Sequence, residues 1–223
     1  MTNVITIDGP SGVGKGTISE YLSDELKWNY LNSGALYRSI AWVAINDSIN
    51  LSNIIGLEEA SKNIQFSLRN KKLKIEYKNL EINSLIYNED VAKIASKVSS
   101  KSEVRQSIIT IQRAFKKEPG LVAEGRDMGS VIFPEAKLKI FLTASIETRA
   151  QRRFKQLKDR EFNVSLPALI KDLDARDQRD KKRKNSPLVI PDGAFLIETD
   201  DLTVDEVKKV VKEKVNKTYG TNI

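Results

Sequence analysis

Nine consecutive residues near the start of the chain could cradle a polyphosphate. Gly9-Pro10-Ser11-Gly12-Val13-Gly14-Lys15 has the G-x-x-x-x-G-K spacing, and Gly16 and Thr17 follow. Glycines let backbone N–H groups curl around phosphate oxygens, and the N-terminus of a following helix adds the positive end of its dipole. Lys15 supplies a mobile point charge for β- and γ-phosphates. A Gly-rich turn with a chance lysine is the plain alternative, but the motif works only between a strand and a helix, and both are expected here. Asn3 to Asp8 is a short β-branched run, and Ile18, Tyr21, Leu22 and Leu26 share one stripe of a helix over Thr17 to Leu26.

A kinase of a small molecule also needs an acceptor site facing the γ-phosphate. Three further segments carry suitable groups: Asn32-Ser33-Gly34-Ala35-Leu36-Tyr37-Arg38, Glu124-Gly125-Arg126-Asp127-Met128-Gly129, and Arg176-Asp177-Gln178-Arg179-Asp180-Lys181-Lys182-Arg183. The first two follow expected strands, at the carboxyl ends where ligands bind in open α/β sheets. Arginine suits phosphate because its planar fork meets two oxygens at once.

Composition narrows the chemistry. The 223 residues contain no Cys and no His. That excludes disulfides, thiolate metal sites, cysteine nucleophiles and histidine-based relays or triads. Carboxylates, Lys/Arg, hydroxyls and backbone amides remain. The net charge of +7 is uneven. Arg149 to Arg160 has six basic residues and one acid, and Arg176 to Lys184 has six and two, so the rest of the chain is slightly acidic. Such clusters fit either a nucleic acid or a compact polyphosphate site. No run of ~18 apolar residues is present, as a membrane span would need, and no signal peptide is recognisable. A cytoplasmic location is the expectation.

The elements that must position these groups alternate between strand and helix. A strand over Asn29 to Leu31 precedes a helix from Ala35 carrying Leu36, Ile40 and Val43 inward, and a helix is expected near Leu57 to Asn63. Ile64 to Leu68, Lys72 to Tyr77 and Leu80 to Ile82 alternate and are split by Arg69-Asn70-Lys71 and Lys78-Asn79, which reads as an antiparallel meander. Helices follow over Asn88 to Ser99 and along Val104, Ile108, Ile111 and Phe115, ending at Pro119-Gly120. Leu121 to Ala123 and Leu138 to Leu142 are apolar runs typical of buried parallel strands. Ser145 and Ser165 are helix caps, the latter followed by Pro167 in the first turn. Phe195 to Ile197 is a last strand, and Thr203 to Glu206 is a capping box. The expected fold is α/β, of the P-loop NTPase type: a five-stranded, mainly parallel sheet flanked by helices, with a small antiparallel β insertion and a helical lid. One domain spans 1–223, with the insertion at 62–92 and the lid at 153–165.

Gly-Lys-Gly-Thr resembles the nucleoside monophosphate kinases. Together with Gly-Arg-Asp-Met-Gly, the late Arg-Asp-x-Arg-Asp-x-x-Arg pattern and the β insertion, the chain from about Val4 to beyond Pro187 resembles the bacterial cytidylate kinases. The resemblance implies transfer of the γ-phosphoryl of ATP to CMP or dCMP. Gly9 to Thr17 would bind ATP, including Pro10, Ser11, Gly12, Val13, Gly14, Lys15 and Gly16. Mg²⁺ would be held through water and substrate phosphates, with Thr17 a candidate ligand. Lys15, Arg126 and Arg183 would be catalytic. Ser33, Arg38 and Arg126 would face the acceptor nucleotide. Ser96, Arg105 and Asp127 would read cytosine, whose N4 amine asks for an acceptor. Arg176 and Asp180 would meet the ribose and Arg183 the phosphates. Arg149, Arg152 and Arg153 would approach from the lid.

The chain departs from the family at two places, Asn32 and Glu124, where Asp is common. Simpler readings exist for several residues: Arg38 and Arg105 as surface groups, Asp127 as a helix N-cap, Ser96 as a packing residue and the lid arginines as a solvated face. Tyr37 and Trp42 read as core. The rivals are another small-molecule kinase, for adenylate or shikimate, a nucleic-acid-binding P-loop ATPase, and a non-catalytic nucleotide-binding module. The favoured reading expects free nucleotides as partners, no nucleic acid or membrane, and a monomer.

Overall fold

A computed structural model describes residues 2–159 and 164–223. Its centre is a sheet in which every pairing is parallel, in the order β2 (Asn29–Asn32), β6 (Leu121–Gly125), β1 (Val4–Asp8), β7 (Leu138–Thr143) and β8 (Phe195–Glu198). β1 and β6 are buried along their whole length, which is why they read as continuous apolar runs. The register sets Asp8 beside Gly125 and Asn32 beside Glu124, so these strand ends finish at one level.

Helices cover both faces. α1 (Lys15–Leu26) and α8 (Val204–Tyr219) close one face over Ile5, Ile7, Leu22, Ile140 and Val211. α2 (Ser33–Asn46), α3 (Ile54–Asn63), α4 (Glu89–Val98) and α5 (Ser102–Ala114) close the other over Leu31, Leu36, Ile40 and Ile108. α6 (Ile146–Lys158) and α7 (Leu166–Lys181) form their own small core of Ala150, Leu157, Leu169 and Leu173. Asn32, Asn53, Asn88, Ser145, Ser165 and Thr203 each accept a backbone N–H at a helix start. Such caps are worth about 1 kcal/mol apiece. Of the expected lid, residues 160–163 lie outside the described residues; the remainder is the end of α6 and the approach to α7.

The antiparallel sheet consists of β3 (Ile64–Arg69), β4 (Lys72–Tyr77) and β5 (Leu80–Glu81). Both connections are two residues long, Asn70-Lys71 and Lys78-Asn79, and all four residues have positive φ, as a primed hairpin turn requires. β5 is shorter than the alternation suggests, because Ile82 leaves the strand and is fully buried in the core. The first hairpin leans on the main sheet: the Tyr30 N–H donates to the Lys71 carbonyl at 2.8 Å, covering the β2 edge. One element has no sequence signal. Met128–Ile132 forms a short π-helical turn after β6.

Candidate active site

The phosphate loop leaves the end of β1 and enters α1. A Cβ at Gly9 would lie 2.1 Å from the Leu142 carbonyl oxygen, so only glycine lets the loop leave between β1 and β7. Gly14, at φ 94°, turns the chain into α1 in a left-handed conformation that disfavours side chains. Lys15 is buried and donates from Nζ to the Pro10 carbonyl at 2.6 Å. Burial and then the nearby Arg126 hold its pKa well below the usual lysine range, with Glu124 opposing them. An ammonium under that stress gains from an arriving phosphate.

A cleft of about 900 Å³ runs along the loop. Ser11 to Ile18 form its floor, so Gly9 and Pro10 shape the loop without lining it. One end reaches Leu202, Val204 and Val207 beside Thr199, an apolar surface suited to a base. The other passes Glu124, Arg126 and Arg176. From there a small recess of about 40 Å³ opens among Ser33, Tyr37, Arg105, Asp127, Asp180 and Arg183.

The recess is held by buried ion pairs. Asp127 and Arg105, 1% and 3% exposed, form a close pair. Arg105 also donates to the Ser99 carbonyl at 3.2 Å, and its guanidinium lies 5.4 Å from the Tyr37 ring centroid. Asp127 does occupy the N-cap position of the π-helical turn, but its side chain makes no capping bond. The carboxylate that serves this turn is Asp8, which accepts from the Met128 N–H at 2.9 Å and the Gly129 N–H at 2.7 Å. Burial pushes Asp8 up to about 7 despite those two bonds.

Asp180 accepts from Arg126 Nε at 2.9 Å and from Arg183. Burial alone would raise its pKa, but Arg126, Arg183 and Arg176 outweigh it and hold the carboxyl below its ordinary value. Burial, and then Arg126, push Arg176 down to about 9. Three guanidinium groups around one carboxylate leave a surplus of positive charge facing the cleft.

Other expected residues are placed less simply. Arg38 donates to the Ile86 carbonyl at 3.1 Å, and its guanidinium lies 5.5 Å from the Tyr87 ring centroid. The Ser33 hydroxyl accepts from Gln112 at 3.1 Å. Ser96 lines the main cleft rather than the recess, where Ala95 and Ser99 stand, and its hydroxyl accepts from Arg179 at 3.2 Å. The three arginines expected on the lid differ. Arg149 is buried: it pairs with Asp177 at 2.7 Å and donates to the Ser11 carbonyl at 3.1 Å, tying α6 to the phosphate loop. Arg152 grips Thr199 by its hydroxyl and carbonyl, and Arg153 pairs with Glu89 across the cleft mouth. Both line the cleft.

Sequence reasoning missed Asp8, Tyr30, Glu89 and the apolar patch around Val204. Asp8 had a usable signal, a lone acid ending a buried strand directly before Gly-Pro. The others depend on long-range contacts.

Thr17 is exposed at the cleft, and Glu124 lines it. Among the described residues no group of three or more Asp or Glu side chains gathers to cage a metal. This sparse oxygen donor set fits a Mg²⁺ ion carried mainly by phosphates and water.

A phosphate loop facing an arginine-lined recess, at the carboxyl ends of a parallel sheet, defines a P-loop kinase of a small acceptor. The comparisons agree and narrow it. The sequence profile described as cytidylate kinase matches residues 5–217. The cytidylate kinase of Aeromonas salmonicida is 41% identical over 95% of this chain and 93% of its own length. That of Shewanella denitrificans is 44% identical over 96% of each. The chain belongs to the cytidylate kinase family, and it is an ATP-dependent phosphotransferase. Two solved structures share the fold alone: TT1252 from Thermus thermophilus, with TM-score 0.50, 16% identity and 99% of each chain covered, and an uncharacterized protein from Eubacterium ventriosum, with TM-score 0.53, 10% identity, and 97% of this chain and 99% of that one covered. The rival readings are not favoured.

Proposed function

We propose that the protein transfers the γ-phosphoryl group of ATP to CMP or dCMP across this cleft, releasing ADP and CDP or dCDP. The observation that carries the residue assignment is the buried Arg105–Asp127 pair at the bottom of the recess, beneath Arg126, Arg176 and Arg183. Cytosine presents an N4 amine donor with N3 and O2 acceptors on the same edge. Asp127 accepts from the amine, and Arg105 donates to the acceptors.

Arg126 and Arg38 hold the acceptor phosphate, which requires Arg38 to leave its carbonyl partners. Arg176 and Asp180 meet the ribose, and Arg183 reaches the transferring group. Ser33 faces the acceptor, and Ser96 lies on the path to the recess. Lys15 and the loop amides hold the β- and γ-phosphates while the adenine lies toward Val204. Mg²⁺ would supply charge neutralisation at the triphosphate, with the Thr17 hydroxyl and the Glu124 carboxylate available to help hold it. Phosphoryl transfer is mainly positioning and charge stabilisation, so the absence of His and Cys costs nothing. The β insertion at 62–92 and the end of α6 close over the cleft to exclude water, so that CMP rather than water attacks. The same reading has the protein act as a cytoplasmic monomer on free nucleotides.

The test is ADP release measured with CMP, dCMP, UMP, AMP or shikimate as acceptor. CMP and dCMP should support the fastest turnover. Equal rates with AMP or shikimate, or ADP release that depends on added DNA or RNA instead, would overturn the reading.

A further inference from the structure

Glu124 is a buried carboxylate in an unusual position. Burial raises its pKa, and Lys15 and Arg126 oppose that rise, yet it forms no ion pair with either within 4.0 Å. Arg126 is committed to Asp180, and Lys15 to the Pro10 carbonyl. The hydrogen bond made by the Glu124 carboxylate comes instead from a neutral group, the Tyr30 hydroxyl, at 2.5 Å to Oε1. Tyr30 is itself fixed. It is buried on β2, and its N–H is bound by the Lys71 carbonyl. Asn32, the in-register neighbour of Glu124, uses its side-chain oxygen to cap α2 at Ala35 and makes no hydrogen bond to Glu124.

The pair lies against the start of α1, beside the phosphate loop. A Cβ at Gly16 would lie 3.4 Å from Glu124 Oε1, 3.9 Å from Oε2 and 3.9 Å from the Tyr30 hydroxyl, in ordinary van der Waals contact.

We propose that Tyr30 is a positioning residue for the phosphoryl donor: its hydroxyl holds the Glu124 carboxylate off Lys15, keeping that ammonium available to phosphate. A buried glutamate has the Coulombic incentive to close on a neighbouring ammonium. Bonded to Tyr30, it stays beside Lys15 without occupying its protons. Without the hydroxyl, Glu124 swings onto Lys15 and competes with the incoming phosphates. This assignment rests on the proposed function for its kinetic consequence but not for its binding consequence.

The experiment is a double-mutant cycle of Tyr30→Phe and Glu124→Gln, read first by calorimetric titration with ADP in the absence of metal and acceptor. Phenylalanine keeps the ring and removes only the hydroxyl. Tyr30→Phe should weaken ADP binding about tenfold, the scale of one charged hydrogen bond. In the Glu124→Gln background the same change should have less than about a twofold effect, because no charge remains to be misplaced. Glu124→Asp gives a second background, in which the shorter side chain loses reach to the hydroxyl and the Tyr30→Phe effect should again shrink. In steady-state assays, Tyr30→Phe should raise KM for ATP while leaving KM for CMP within about twofold. Equal effects of Tyr30→Phe in all three backgrounds, unchanged ADP affinity, or a matching rise in KM for CMP would overturn the proposal. Failure of the functional reading would show separately, as wild-type protein that binds ADP but does not respond to CMP.

Discussion

On the proposed function, the donor side of the cleft is one continuous stretch, residues 9–17, working mainly through backbone amides and a single lysine. On the same reading, the acceptor side draws side chains from α2, α5, the turn after β6, α7 and the residues just after it, and holds several of them in buried ion pairs: Arg105 with Asp127, and Arg126 and Arg183 with Asp180. The difference is energetic as well as topological. Lys15 is a buried charge without a carboxylate partner within 4.0 Å, and its bond to the Pro10 carbonyl only partly offsets its burial. The acceptor groups stabilise one another, and removing one member of a buried pair strands the other at a cost of about 3–5 kcal/mol. Function and stability should therefore separate on the donor side and fall together on the acceptor side.

The largest expected effect breaks the donor side alone. Lys15→Ala should lower kcat/KM by more than about 100-fold, the usual scale for a preorganised charge-stabilising group. The melting temperature should hold or rise, because the change removes a charge that burial already disfavours. Kinetics and thermal unfolding of the same preparation check it. A large loss of stability would mean that Lys15 ties the loop together.

Asp127→Asn tests the opposite side. It leaves Arg105 buried without its carboxylate, so stability should fall along with activity. The informative quantity is a ratio, which is insensitive to the folded fraction. UMP presents an acceptor where CMP presents N4, and an amide can donate to it. The preference for CMP over UMP in kcat/KM should narrow by about tenfold, or 1.4 kcal/mol. An unchanged ratio would assign Asp127 to Arg105 alone.

Asp8 belongs to the donor strand but serves the acceptor turn through Met128 and Gly129. Its folded pKa, about 7, lies above the ordinary 3.8, so its contribution to stability is fully present below pH 3.8 and is lost as pH rises through about 7. Wild type should lose about 1 kcal/mol between pH 6 and pH 7 relative to Asp8→Asn. Urea unfolding of both proteins across that range checks the sign. A difference from Asp8→Asn that stays flat between pH 6 and pH 7 would show that Asp8 is ionised throughout, with its two N–H bonds outweighing its burial.

The same contrast explains what could be read in the sequence. The phosphate loop was legible because its chemistry, spacing and flanking elements are all local. The hairpins were legible from Asn70-Lys71 and Lys78-Asn79, the parallel strands from unbroken apolar runs. Ile82 was misplaced because alternation continues past the point where a core position draws the chain out of the strand. The π-helical turn left no trace, since the amides of Met128 and Gly129 are satisfied by a residue some 120 positions away. Arg149 shows the same limit: a basic run on a helix looks the same whether a given arginine faces solvent or is buried against Asp177. Residue types identified the acceptor groups, while their pairing depended on a fold that brings α5 to the turn after β6.

The smallest expected effect lies where the two sides meet. Glu89 opens α4, on the acceptor side, and Arg153 lies on α6, so their ion pair spans the cleft mouth. With side chains 36% and 31% exposed, the pair is half-buried and still open to solvent. Exposed pairs contribute about 0.2–1 kcal/mol and weaken with salt. If the pair only biases how far the mouth stands open, its removal can shift that balance by at most about fivefold. Glu89→Gln should therefore change KM for CMP by less than fivefold and leave kcat within about twofold, and the difference from wild type should fade as salt is raised, since the Debye length shrinks from about 10 Å at 0.1 M to 3 Å at 1 M. A larger change, or one that persists at high salt, would place Glu89 against the nucleotide itself. The contrast would then need a carboxylate that works on substrate at the mouth, outside the paired network that holds the recess.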